Sequence, residues 1–247
     1  MGLQATSITY KHSIYPHYFL CNYLPMSAGR DRLSRSLLDF KQGLQPDLGA
    51  WTDCAVEVFQ GIPYIRDTII VRALQHDETA ATDDPPASLD LLGRALASRF
   101  HCQYLPGLLC KSGATPPCKA LTRRQRMAGL RNVYSFLPLP DPAPSSGTPP
   151  LSGPPAPHPR FLLIDDILTT GTTARMILGA IHQVYPGSPF GVFTLAKSGY
   201  TTTPAPTTAL HGRRYHLGPD SQWIVSEGEP TPYSIKELKI LILANSF

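Results

Sequence analysis

Phe161-Leu-Leu-Ile-Asp-Asp-Ile-Leu-Thr-Thr-Gly-Thr-Thr173 restricts the fold more than any other stretch of the chain. Four apolar residues run into two adjacent carboxylates, and a turn rich in hydroxyls and glycine follows at once. A short, wholly apolar run bounded by turn signals has the character of a strand buried on both faces. Beyond the turn, Ala174-Arg-Met-Ile-Leu-Gly-Ala-Ile181 carries the apolar spacing of a helix. The unit is a strand, a short loop and a helix. It places Asp165 and Asp166 at the carboxyl end of the strand, where open α/β sheets bind ligands.

The residue types in that loop suit an anion. Backbone N–H groups of Thr170, Gly171, Thr172 and Thr173 would point out of the first helical turn, and the hydroxyls of Thr169, Thr170, Thr172 and Thr173 add donors. The helix dipole contributes only about 0.3–1 kcal/mol, so hydrogen bonds must do most of the holding. Gly171 allows close approach of the backbone or a turn at positive φ. Two carboxylates beside such a site would repel a second phosphate but accept hydrogen bonds from vicinal hydroxyls. A ribose 5-phosphate satisfies both halves.

All thirteen residues of 161–173 resemble the phosphoribosyl-pyrophosphate (PRPP) motif of type I phosphoribosyltransferases. The resemblance implies a parallel Rossmann-like sheet flanked by helices, with a small hood contributed by the N- and C-terminal segments. It implies that Asp165 and Asp166 hold the ribose hydroxyls, directly or through Mg²⁺, and that residues 169–173 hold the 5-phosphate. The reaction implied is Mg²⁺-dependent transfer of the phosphoribosyl group from PRPP to a nitrogen nucleophile in nucleotide metabolism. Hypoxanthine-guanine salvage enzymes carry an Asp at the place of Thr169, so 6-oxopurines are disfavoured as acceptors.

A second basic region supports a narrower resemblance. From Lys111 through Lys119-Ala-Leu-Thr-Arg-Arg-Gln-Arg to Phe136, the order Gln125, Leu130-Arg131-Asn132, Phe136 looks like a segment of ComF-type (amidophosphoribosyltransferase-like) proteins. In that family the region closes over bound substrate, which would keep water from an oxocarbenium-like transition state. Lys119, Arg123 and Arg124 are then candidates for stabilising departing pyrophosphate. Arg72, after the β-branched run Thr68-Ile-Ile-Val71, is another. The chain lacks the N-terminal zinc-ribbon cysteines common in ComF proteins, which argues against a direct competence role. A non-catalytic PRPP sensor or accessory protein of DNA uptake is the alternative to an enzyme.

Composition sets wider bounds. A hydrophobic content of 42% in 247 residues is enough for a buried core. The balance of 22 basic against 18 acidic residues is too mild to indicate nucleic acid by itself, although residues 111–131 are a nucleic-acid candidate. Five cysteines without CxxC spacing indicate neither a zinc site nor a disulfide framework. No signal peptide or membrane span is evident, and a cytoplasmic protein is expected. A homodimer is a candidate assembly.

Three divisions are expected along the chain: an N-terminal hood or packing segment (1–48), a phosphoribosyltransferase core (49–199) and a C-terminal extension packing on the core (200–247). The spacing predicts helices over 29–42, over 50–60 and after Ser88, which is read as a cap. Strands are expected over 68–71, 103–109, 161–164, 190–196 and 222–226, with Ile8–Tyr10 and Tyr18–Tyr23 as a hairpin. A further helix or strand is expected over 234–245. Residues 138–159 hold ten of the 26 prolines and read as a disordered loop interrupting the core.

Overall fold

The computed structural model describes residues 3–23, 32–62, 64–82, 86–113, 133–140 and 158–198, together with three short strands within 208–226. Elements in chain order are β1 (Gln4–Tyr10), β2 (Ser13–Tyr23), α1 (Arg32–Lys41), α2 (Asp47–Phe59), β3 (Thr68–Arg72) and α3 (Ser88–Phe100). They continue with β4 (Gln103–Tyr104), β5 (Leu109–Lys111), β6 (Tyr134–Phe136), β7 (Arg160–Leu168), α4 (Thr172–Val184) and β8 (Phe190–Ser198). The last three are β9 (Thr208–Leu210), β10 (Arg213–Leu217) and β11 (Trp223–Ser226).

The motif strand β7 lies inside a six-stranded sheet of order β1-β2-β8-β7-β3-β4. All neighbours run parallel except β1, which pairs antiparallel with β2. Helices cover both faces, so the fold is mixed α/β with a mostly parallel central sheet. On one face α1, α2 and α3 pack on Leu162, Ile164, Phe193 and Leu195. On the other, Ile177, Leu178 and Ile181 of α4 join Phe136 over Phe161, Leu163 and Val192. Alternate residues of β7 thus enter opposite cores, which is why its sequence reads as a continuous apolar run rather than an alternating one.

Several expectations are corrected. The N-terminal hairpin exists, but β2 pairs in parallel with β8 over His17↔Val192 to Tyr23↔Ser198. Residues 4–23 therefore complete the sheet instead of forming a hood on it. The expected strand 103–109 splits into β4, a 3₁₀ turn at Pro106–Leu108, and β5. Proline cannot donate to a ladder, so the run breaks at Pro106, and β5 pairs instead with β6. Ser88 is the first helical residue of α3 and Ala87 is its N-cap. The Ser88 hydroxyl donates to the Lys41 carbonyl at 3.4 Å, linking the end of α1 to the start of α3.

Strands β9, β10 and β11 form an antiparallel sheet of their own. Residues 141–157 of the proline-rich segment and the expected element at 234–245 lie outside the described residues. Among the described residues, no helix is long and apolar enough to cross a membrane.

Candidate ligand site at the sheet switch point

Strand β3 is followed by α3 and leads outward to β4, whereas β7 is followed by α4 and leads the opposite way to β8. The boundary between β3 and β7 is the topological switch point, and the crevice at the carboxyl ends of these strands is where doubly wound sheets hold ligands. The register shows how it opens. Pairing between β3 and β7 ends at Arg72↔Ile164, and the last bond runs from the Ala73 N–H to the Ile164 carbonyl at 2.9 Å. On its other side β7 stays paired with β8 as far as Leu168↔Lys197. Asp165 and Asp166 thus belong to a strand with one partner edge filled and the other open.

A cleft occupies that opening, lined by Phe40 and Lys41 from α1, Ala73, Leu74 and Gln75 after β3, Ser88 and Leu89 from α3, and both aspartates. Each carboxylate folds back on the strand. The Asp166 N–H donates to Asp165 Oδ1 at 2.9 Å, and the Ile167 N–H donates to Asp166 Oδ1 at 2.7 Å. Lys41 Nζ donates to the other oxygen of Asp166. Burial pushes the Asp165 carboxyl up to about 8, the charge of Asp166 adds to the rise, and Lys41 opposes it. For Lys41, burial favours the neutral amine, but the attraction and hydrogen bond of Asp166, with help from Asp165, outweigh it and raise its pKa.

The threonine loop begins directly after β7. Thr169 and Thr170 are exposed, Thr173 is half-buried and Thr172 is buried. The hydroxyls of Thr170 and Thr172 lie 2.9 Å apart. Gly171 has φ +70°, a left-handed conformation that a Cβ would strain, and it starts α4 with no side-chain cap. The first helical bond runs from the Arg175 N–H to the Gly171 carbonyl at 3.0 Å. Donors of the turn before it remain available to an anion.

Arg175 also shapes this loop, although nothing in the sequence singled it out. Its guanidinium donates to the Thr170 carbonyl at 2.7 Å and, through Nε, to the Thr9 carbonyl of β1 at 2.9 Å. In a trans peptide the C=O and the next N–H point in opposite directions. Turning the Thr170 carbonyl toward Arg175 therefore turns the Gly171 N–H away from it.

Arg72 is not offered to a ligand. It is fully buried, and its guanidinium is taken up by protein acceptors. Nε donates to Asp90 at 2.7 Å, the two terminal nitrogens donate to Glu78 at 2.7 and 2.8 Å, and one also reaches the Ala73 carbonyl at 3.2 Å. Glu78 accepts the Gln75 N–H, while Asp90 accepts the Tyr104 hydroxyl at 2.6 Å and the Ala87 N–H at 3.0 Å. The expected role beside pyrophosphate is corrected: Arg72 fixes the 73–78 loop and the start of α3, two walls of the cleft.

Lys111 is likewise occupied, its ammonium donating to the carbonyls of Gln75 and His76. Its own N–H donates to the Thr79 carbonyl at 2.7 Å, and the Ser112 N–H donates to the Val133 carbonyl at 2.9 Å. The Lys111 end of the basic stretch is therefore held at the loop that lines the cleft, and Val133 at its other end is held to Ser112. Lys119, Arg123 and Arg124 within it lie outside the described residues.

The donor set suits a hard cation in part. Among the described residues no group of three or more His, Cys, Asp and Glu could hold a metal. Asp165 and Asp166 could supply carboxylate oxygens, with water and substrate phosphates completing the shell, as is usual for Mg²⁺.

No protein-family model matches the chain, and no curated protein matches it. Among solved structures, the chain is similar to adenine phosphoribosyltransferase from Leishmania donovani at 15% identity and a TM-score of 0.30, over 65% of this chain and 68% of that one. It is also similar to adenine phosphoribosyltransferase from Leishmania tarentolae at 15% identity and a TM-score of 0.31, over 73% and 91% of the respective chains.

Proposed function

We propose that the chain binds PRPP and transfers its 5-phosphoribosyl group to a nitrogen nucleophile. The observation that supports this most directly is the position of Asp165 and Asp166. They stand on the open edge of β7 at the switch point, and an uncapped helix N-terminus begins a few residues later. Few ligands ask for paired acceptors and an anion cradle so close together; a phosphorylated sugar with a free diol does.

In this reading the ribose 2- and 3-hydroxyls donate to Asp165 and Asp166. The 5-phosphate takes the donors of residues 169–173, with Arg175 holding the loop in shape. The nucleophilic nitrogen forms a bond to C1 as the C1–O bond breaks, and the electron pair leaves on pyrophosphate; the nitrogen then gives up its proton. Bound Mg²⁺, held by Asp165 and Asp166 together with substrate oxygens, would supply charge for the leaving group. The chain's own contribution is positioning, charge stabilisation and exclusion of water. Closure by the basic stretch, the ComF-like affinity and the identity of the acceptor belong to the same proposal.

A thermal-shift measurement with Mg²⁺ and PRPP, on wild type and on the Asp165→Asn, Asp166→Asn double variant, tests it. At about 100 times its dissociation constant the ligand should stabilise wild type by about 2.7 kcal/mol and the variant far less. No shift in wild type, or equal shifts in both, would overturn the site. Pyrophosphate release with a panel of bases or ammonia then separates a transferase from a non-catalytic PRPP sensor.

A further inference from the structure

We propose that Lys41 is the residue that receives the diphosphate end of the substrate, moving off Asp166 when the sugar arrives. This deepens the phosphoribosyl reading and rests on it. A diphosphate entering a cleft that already holds two carboxylates needs a cation from the protein. Arg72 is fully buried and its bonds are spent on Asp90 and Glu78. Lys111 is buried and bonded to the carbonyls of Gln75 and His76. Arg175 sits on the threonine loop, at the 5-phosphate end. Among the described residues that line the cleft, Lys41 is the one basic side chain.

Its setting suits an exchange of partners. Lys41 is the last residue of α1, and its side chain is 49% exposed while contacting a carboxylate that is 11% exposed. A lysine ammonium is a compact charge with three donors on a flexible stem, so it can turn without repacking its surroundings. When the ribose 2-hydroxyl donates to Asp166, it takes an acceptor position that the ammonium now fills. The displaced charge does not have far to go. C1 of the sugar is bonded to C2, so the diphosphate neighbours the hydroxyl that has replaced the lysine. Gln75, Ser88 and the first turn of α3 border the same cleft and add polar groups around it. In the free protein the contact with Asp166 holds the lysine beside the place where it is needed.

Calorimetric titrations of wild type, Lys41→Met and Lys41→Arg with inorganic pyrophosphate plus Mg²⁺, with ribose 5-phosphate and with PRPP test the exchange. Lys41→Met should weaken pyrophosphate binding by about tenfold to a hundredfold, the range for loss of a charged hydrogen bond. Ribose 5-phosphate affinity should hold or rise, because no Lys41–Asp166 pair has to be broken, and Lys41→Arg should keep most of the pyrophosphate affinity. Unchanged pyrophosphate binding in Lys41→Met would overturn the proposal. So would equal weakening of both probes, the mark of a purely structural contact, or a gain for ribose 5-phosphate with no loss for pyrophosphate, the mark of a plug. Wild type that binds none of the three ligands would instead overturn the phosphoribosyl reading beneath it. Circular dichroism checks the fold of each variant, with Lys41→Gln replacing Lys41→Met if the latter does not fold.

Discussion

Replacing Arg72 by Met tests whether that residue serves the fold or the ligand. The guanidinium is fully buried and meets two carboxylates, Asp90 at 2.7 Å and Glu78 at 2.7 and 2.8 Å. Burial alone would lower its pKa, but its bonds to Glu78 and Asp90 reverse that and raise it, so the charge stays on. Methionine fills much of the volume but leaves Asp90, only 2% exposed, without its counter-ion. Stranding a buried partner in this way costs about 3–5 kcal/mol, a third or more of the stability of many domains. Urea unfolding gives the loss directly, and a cycle with Asp90→Asn assigns it. If the stranded charge dominates, the double variant loses much less than the sum of the two single variants. A loss below about 1 kcal/mol, or strict additivity with Asp90→Asn, would refute the reasoning. A stable Arg72→Met that had lost pyrophosphate affinity would return Arg72 to the ligand.

Other perturbations probe the same walls. A Cβ at Gly93 would lie 2.3–2.7 Å from the Tyr104 ring, so Gly93→Ala should push Tyr104 off Asp90 and cost about 1–3 kcal/mol despite alanine's better helix propensity; a raised Tm would contradict this. Arg175→Ala should weaken ribose 5-phosphate binding by about tenfold with little change in unfolding free energy, because its bonds are exposed and reach only two carbonyls, those of Thr170 and Thr9. His17 is buried, and burial with the charge of Lys197 lowers its pKa from 6.5 to about 4. Between those values the unfolded chain binds the extra proton, so stability should fall as pH drops from 6.5 toward 4, by up to about 3 kcal/mol at 1.36 kcal/mol per unit. His17→Gln should remove most of that fall in unfolding measurements across the range.

The cleft also changes how its electrostatics are understood. The acidic pair does not stand exposed to solvent waiting for a metal. It is already organised, with Asp166 bonded to Lys41 and the neighbouring Asp165 pushed toward its neutral form. In the proposed reading, a ligand that brings hydroxyl donors or a cation competes with Lys41 for Asp166. Glu78 and Asp90 are engaged separately by Arg72, whose single charge offsets one of their two.

The parts legible in the sequence were those in which the local pattern alone decides the structure. Phe161 to Ile164 reads as a strand buried on both faces, and Gly171 as a close approach or a turn at positive φ, so β7 and α4 came out as expected and the φ of +70° selects the turn. The parts that were not legible depend on partners distant in sequence. Arg72 after a strand resembles a ligand-facing cation until Asp90, 18 residues on, is seen beside it. Lys41 in the last turn of a helix fits the usual complement to the dipole, and only the fold carries it across 125 residues to Asp166. The N-terminal hairpin looked like a covering segment because its aromatic residues do not reveal a partner, yet β2 extends the sheet beside β8, the last strand of the core. A strand–loop–helix motif can therefore be read from its own residues. Which basic side chain faces the cleft is fixed by tertiary pairing: the arginine after the strand is buried in the framework, and the lysine that looked like an ordinary helix end lines the cleft.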